Sequence, residues 1–122
     1  MQPYINRDRE PLVVRRVIQK ETAEQITAML ESTVEKAGVA AIPGYRIAGK
    51  TGTALIPEHG GYSDAMIHTF VGFAPASNPA FTILIRLDRP EIGDLAGRTV
   101  VPSFRKFAQF LLNYYGIAPD AL

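Results

Sequence analysis

The sequence predicts an α+β fold: an antiparallel sheet of about three strands, with one helix near the N-terminus and another near the C-terminus. Three observations carry this. Apolar residues recur at helical intervals twice, as Ile26, Met29, Leu30 and Val34 and as Phe104, Phe107, Ala108, Leu111 and Tyr115. Between these runs lie three stretches rich in β-forming residues. The links between the stretches are of hairpin length, so neighbouring strands run antiparallel, and helices flanking such a sheet define the α+β class.

Residues 1–11 are polar, carry two prolines, and read as an irregular arm. Leu12–Ile18, "LVVRRVI", is rich in β-branched residues and predicts a short strand. Thr22-Ala-Glu-Gln25 has capping-box spacing, and Gly38 stands where a glycine stop belongs, so a helix is expected over about 22–36. Pro43-Gly44 predicts a turn, and Tyr45–Leu55 a strand interrupted by glycines. Pro57–Asp64, "PEHGGYSD", is a loop by composition. His68–Phe73 predicts a second strand, closed by the turn residues Ala74–Pro79. Phe81–Leu87, "FTILIRL", is the clearest strand, and a charged, glycine-bearing loop is expected over 88–98. Pro102 suits a first helical turn, and Gly116 closes the last helix.

Bulk properties exclude several function classes. The chain has 122 residues, which is one domain or part of a larger one. A net charge of +1 nominates neither nucleic acid nor an anionic membrane as partner. No apolar run approaches the roughly 20 residues needed to span a bilayer, and the N-terminal residues contain no signal-peptide apolar core. Cysteine is absent, which removes disulfides and thiolate metal sites.

The chemistry concentrates in Gly44–Ala54, "GYRIAGKTGTA", which fits two unrelated patterns. Gly44 to Thr51 matches the phosphate-binding G-x-x-x-x-G-K-[ST]. Lys50-Thr51-Gly52 matches the K-T-G of serine acyltransferases that react with penicillin. A phosphate loop needs a helix starting at the Lys-Thr, so that its amides meet the phosphates. Gly52 follows at once and Pro57 comes soon after, so no helix is expected there. An extended strand suits the residues better. On a strand Thr51 and Thr53 share one face, and Lys50 and Gly52 the other. Threonine hydroxyls beside an ammonium suit a carboxylate, and Gly52 lets another backbone come close.

Three stretches together make the assignment specific: "GYRIAGKTGTA", "HTFVGFAPASNPAFTILIRLD" and "AGRTVVPSFRKFAQFLLNYYGI". They closely resemble the C-terminal part of the transpeptidase domain of class B penicillin-binding proteins, the peptidoglycan D,D-transpeptidases. The likeness runs from about Val13 to Ile117. It implies that residues 1–122 are a C-terminal fragment of such a domain, with a partial penicillin-binding, β-lactamase-like fold. Lys50 and Thr53 would be catalytic: Lys50 supplies positive potential and helps move protons, and the Thr53 N–H is one of two oxyanion donors. Thr51, Gly52 and Thr53 would bind the substrate, a D-Ala-D-Ala stem peptide, or a β-lactam in its place. No cofactor and no metal are implied. The full-length parent would be anchored in the bacterial cytoplasmic membrane through its missing N-terminal part, with this domain on the extracytoplasmic side. The family's S-x-x-K and S-x-N lie upstream of K-T-G; no S-x-x-K precedes Lys50, and no S-x-N or Y-x-N triplet is expected in the chain. The chain alone is therefore expected not to acylate, and to self-associate through the face that the missing part would cover. Two other readings stay open: a non-catalytic interaction fragment, and part of a serine β-lactamase-like hydrolase or D,D-carboxypeptidase.

Other candidates have plainer readings. Ser103-Phe-Arg-Lys106 is a literal S-x-x-K, but it follows K-T-G, and Ser103 reads as a helix cap. His59 and His68, with Glu58 and Asp64 nearby, fall short of zinc geometry and read as surface or structural residues. By the resemblance Tyr62 would line the cleft. Phe70, Phe73, Phe81, Phe104, Phe107 and Phe110 read as core, and Arg86, Arg89, Arg98 and Arg105 as solvated.

Overall fold

Two helices flank three consecutive strands along the chain, in the order α1 (Lys20–Ala37), β1 (Ala48–Glu58), β2 (Gly61–Ala74), β3 (Phe81–Asp88) and α2 (Ala96–Tyr114). The structure is a computed structural model that describes residues 12–91 and 95–121. The predicted arm at 1–11 and the centre of the 88–98 loop lie outside the described residues. The strands form one antiparallel sheet in the order β1-β2-β3. The α+β expectation therefore holds.

Register explains how the core is built. Antiparallel partners share a face, so one face carries the rows Gly49–Gly72–Ile83, Thr51–Phe70–Ile85 and Thr53–His68–Leu87. The other carries Lys50–Val71–Leu84 and Gly52–Thr69–Arg86. The first face is covered by the helices. Val34 of α1, Phe70 and Ile83 of the sheet, and Val100, Phe104, Ala108 and Leu112 of α2 form one buried cluster. Gly49 and Gly72 stand opposite one another and leave a hollow, which Phe70 and Phe104 fill at a centroid distance of 4.6 Å. A Cβ at Gly72 would lie 2.7 Å from the Phe104 ring, so the glycine is a packing requirement. The second face is bare: Leu84 is 66% and Val71 43% exposed.

Several elements differ from the sequence expectation. Leu12–Ile18 forms no strand and is exposed throughout. β-propensity is realised only through pairing, and this segment pairs with no strand among the described residues. Helix α1 starts at Lys20 with Gln19 as N-cap, and no side chain among the described residues caps it. Thr22 is thus helical instead of capping, and Glu21 instead complements the dipole of the first turn. Gly38 does end α1, in the left-handed conformation.

The face of α1 is also rotated from the apolar stripe. Ala23, Thr27, Leu30, Glu31 and Val34 turn inward, while Ile26 and Met29 are exposed. Glu31, on that inward face, pairs with Arg46 from across the fold.

The expected loop at 57–64 is a hairpin instead. β1 runs on to Glu58 and β2 begins at Gly61, around a tight turn with Gly60 at φ 90°. Pro57 sits at a register shift, where a residue without an N–H is tolerated. At the other end of β1, regular pairing starts at Ala48 rather than Tyr45. Helix α2 starts at Ala96, so Pro102 and Ser103 lie inside it and Ser103 caps nothing. Its core face is Ala96, Val100, Val101, Phe104, Ala108 and Leu112. That spacing turns Phe107 and Phe110 outward, where Phe107 stacks on Phe110 and Phe110 on Tyr114 instead of entering the core. Gly116 closes α2 as expected: the Gly116 N–H bonds to Asn113 O, and the Ile117 N–H to Leu112 O at 2.9 Å, which is a Schellman motif.

Candidate active-site strand

Lys50, Thr51, Gly52 and Thr53 lie in the middle of β1. The strand continues past Thr51 to Glu58, where a phosphate loop would need a helix to begin. β1 is an outer strand, and its other edge has no partner strand among the described residues. Backbone groups on such an edge are open to an added extended chain.

Each motif side chain has a distinct setting. Lys50 is exposed, on the bare face, and its Nζ donates to the carbonyl of Thr51 at 3.0 Å. Thr51 is half-buried opposite Phe70, and Thr53 is exposed opposite His68. The two threonines share the helix-covered face, at its margin. Gly52 is half-buried beneath Thr69, whose Oγ1 would collide with a Cβ placed there. The close neighbour that requires glycine is therefore a side chain of β2. Thr69 Oγ1 also donates to the Gly52 carbonyl at 3.4 Å.

The strand's beginning is held in a different way. The N–H of Arg46 donates to Asp120 Oδ1 at 2.7 Å, and the carbonyl of Arg46 accepts from the Ala76 N–H at 2.7 Å. Its guanidinium forks onto both oxygens of Glu31, with Nη2 3.0 Å from Oε1 and 2.8 Å from Oε2, and Nε 3.2 Å from Oε2. This bidentate hydrogen bond raises the Arg46 pKa further, with the Glu31 charge adding to it. Burial opposes ionisation of Asp120, but hydrogen bonds from Ser77 Oγ and from the Arg46 and Ser77 N–H groups outweigh it. They hold its carboxyl below the usual carboxylate range.

The remaining candidates disperse. Ser103 is exposed on α2, and no hydrogen bond joins it to Lys106 among the described residues. His59 is exposed, whereas His68 is fully buried with Nδ1 2.9 Å from Thr99 Oγ1. Among the described residues no three His, Asp or Glu side chains converge as a metal site. Asp88 pairs with Arg86 at the surface. Tyr62 is 72% exposed on the hairpin. Sequence reasoning missed Thr69 and Asp120. Gly72 facing Gly49 offered a signal only once the register was known. A Y-x-N triplet does occur, as Tyr4-Ile5-Asn6, and lies outside the described residues.

Comparison with known proteins agrees with this architecture. The family model for the penicillin binding protein transpeptidase domain matches residues 1–109. The chain is 38% identical over 121 residues to the probable peptidoglycan D,D-transpeptidase PbpC of Pseudomonas aeruginosa, covering 95% of this chain and 21% of that protein. It is 38% identical over 112 residues to the peptidoglycan D,D-transpeptidase FtsI of Buchnera aphidicola, covering 88% of this chain and 19% of that one. The chain thus spans about a fifth of the length of these relatives. The apo transpeptidase domain of penicillin-binding protein 3 from Burkholderia pseudomallei superposes with a TM-score of 0.82 at 32% identity, over 97% of this chain and 37% of that one. Penicillin-binding protein 3 of Mycobacterium tuberculosis in complex with ampicillin gives 0.70 at 32% identity, over 81% and 25%. The chain belongs to the penicillin-binding protein transpeptidase family, as the C-terminal part of a class B transpeptidase domain.

Proposed function

We propose that this chain forms one wall of the active site of a peptidoglycan D,D-transpeptidase. The observation that carries the reading is the outer edge of β1, which presents Lys50-Thr51-Gly52-Thr53 beside an edge free of any partner strand among the described residues. A stem peptide ending in D-Ala-D-Ala lies along that edge as an added strand. The hydroxyls of Thr51 and Thr53 donate to its terminal carboxylate, and Lys50 supplies positive potential.

In the full-length parent a serine from outside this chain attacks the penultimate D-Ala carbonyl. Its proton passes to a base, and the carbonyl oxygen becomes an oxyanion that accepts from the Thr53 N–H. The C–N bond breaks, and D-Ala leaves with a proton moved by way of the Lys50 region. The amine of a neighbouring stem peptide then attacks the acyl ester, forms the cross-link and releases the serine. A β-lactam follows the first half of this path and stays bound as the acyl ester. No step calls for a metal or cofactor.

The test is covalent labelling of the full-length parent by a fluorescent penicillin. The parent labels, Lys50→Ala labels on the order of 100-fold more slowly, and Ser103→Ala labels like the parent. Labelling of this chain alone that Ser103→Ala abolishes would overturn the assignment of the nucleophile.

Two further expectations belong to the same reading. The parent is membrane-anchored with this domain on the extracytoplasmic side, and a reporter fused after Leu122 that works only outside the cytoplasm tests it. The bare face carrying Val71 and Leu84 is where the rest of the domain packs. The chain alone therefore self-associates, and sedimentation as a monomer at every concentration counts against that.

A further inference from the structure

The C-terminal tail after α2 folds back onto the lead-in of β1. Tyr45 Oη donates to the Ile117 carbonyl at 2.6 Å. The carbonyl of Gly44 accepts from the N–H groups of Asp120 and Ala121, each at 3.1 Å. Pro119 packs on Gly44, whose φ of 82° makes the bend. Asp120 then uses both carboxylate oxygens. Oδ1 accepts from the Arg46 N–H at 2.7 Å, and Oδ2 accepts from Ser77 Oγ at 2.6 Å and from the Ser77 N–H at 3.3 Å. One carboxylate thus ties the lead-in of the motif strand to the β2–β3 turn. Lys50 lies four residues beyond Arg46 on the same extended run. Among the described residues Lys50 itself bonds only to a carbonyl of its own strand.

We propose that Asp120 is a positioning residue for the K-T-G strand. It sets the height and twist at which β1 leaves its anchor, and so where the Thr53 N–H meets the developing oxyanion. The proposal rests on the transpeptidase reading of that strand. Electrostatic catalysis depends on donors fixed before the reaction, and a displacement of about 1 Å can cost on the order of 100-fold in rate. A strand tethered at one end and open at the other transmits a loosened tether directly to the motif. Asparagine at 120 keeps the size but turns one acceptor into an NH2 group facing a donor.

The experiment measures penicillin acylation of the full-length parent, resolved into the noncovalent dissociation constant and the acylation rate constant. Asp120→Asn lowers the rate constant about tenfold, with the dissociation constant within about twofold and the same fraction labelled at the end point. A merely structural role would instead lower the labelled fraction and leave the rate constant of the surviving molecules unchanged. That result overturns the proposal, as does wild-type behaviour. If Asp120→Asn does not fold, Ser77→Ala, which removes one donor and keeps the Arg46 tie, slows acylation about threefold; no change overturns the proposal. If the wild-type parent is not labelled, the transpeptidase reading has failed rather than the clasp. Amide exchange then decides: in Asp120→Asn the amides of Ala48–Thr53 exchange about tenfold faster while β3 is unchanged, and an unchanged or uniform rise overturns it.

Discussion

The two ends of β1 differ in almost every physical respect. At its start, the Gly44–Ala48 run is held by the tail, by the β2–β3 turn and by α1, through Asp120, Ala76 and Glu31. Ile47 and Ala48 are buried there. From Thr51 onward the strand pairs with β2 alone among the described residues, and Thr53, Ala54 and Leu55 are exposed. One end is a fixture and the other a ledge. A site that must meet a substrate backbone needs both, because an open edge recognises nothing unless something holds it still.

Substitutions that break the fixture should cost stability, and those on the ledge should not. The largest effect is expected from Phe104→Ala, which empties the hollow between Gly49 and Gly72. It should lower stability by about 3–5 kcal/mol in denaturant titration. Gly72→Ala drives a methyl into the Phe104 ring and should cost about 1–3 kcal/mol. A Gly72→Ala variant as stable as wild type would mean that the packing beneath the strand is looser than described. Glu31→Ala removes the partner of Arg46 and should cost about 1–2 kcal/mol, because Arg46 is half-exposed and water recovers part of the loss. On the ledge, Thr53→Val should change stability by no more than about 0.5 kcal/mol while slowing penicillin labelling of the parent. A large stability loss there would erase the distinction between the two ends.

Acid sharpens the same contrast. The folded-state pKa of Asp120 lies below its ordinary value. Its contribution is therefore complete above the unfolded-state value of about 3.9, and is lost as pH falls through the lower folded value. The lead-in should loosen in that range before the hairpin does. Residue-resolved amide exchange of the parent would report it as earlier loss of protection at Arg46 than at Ile67.

Much of this arrangement was legible beforehand. Lys50, Thr51, Gly52 and Thr53 declared a strand because glycine and proline forbade a helix. The stops at Gly38 and Gly116 and the strand at Phe81 followed local rules. What escaped depends on distant partners. Asp120 bonds to Arg46 across 74 positions, and no local pattern announces that. The face of α1 was misread because Glu31 looks like a solvent residue until Arg46 reaches it. Leu12–Ile18 has strand composition but pairs with no strand among the described residues. Pro57 and the His59-Gly60-Gly61 run read as a loop, although a register shift and a tight turn keep them in the hairpin. The α2 face was displaced because Pro102 resembled a helix start while the helix was already under way.

The most direct test of the substrate wall is a crystal structure of the full-length parent acylated by a penicillin. The drug carboxylate should lie within about 3.2 Å of the Thr51 and Thr53 hydroxyls, with the acyl oxygen on the Thr53 N–H. A drug whose carboxylate and acyl oxygen both make their contacts away from β1 would contradict the account.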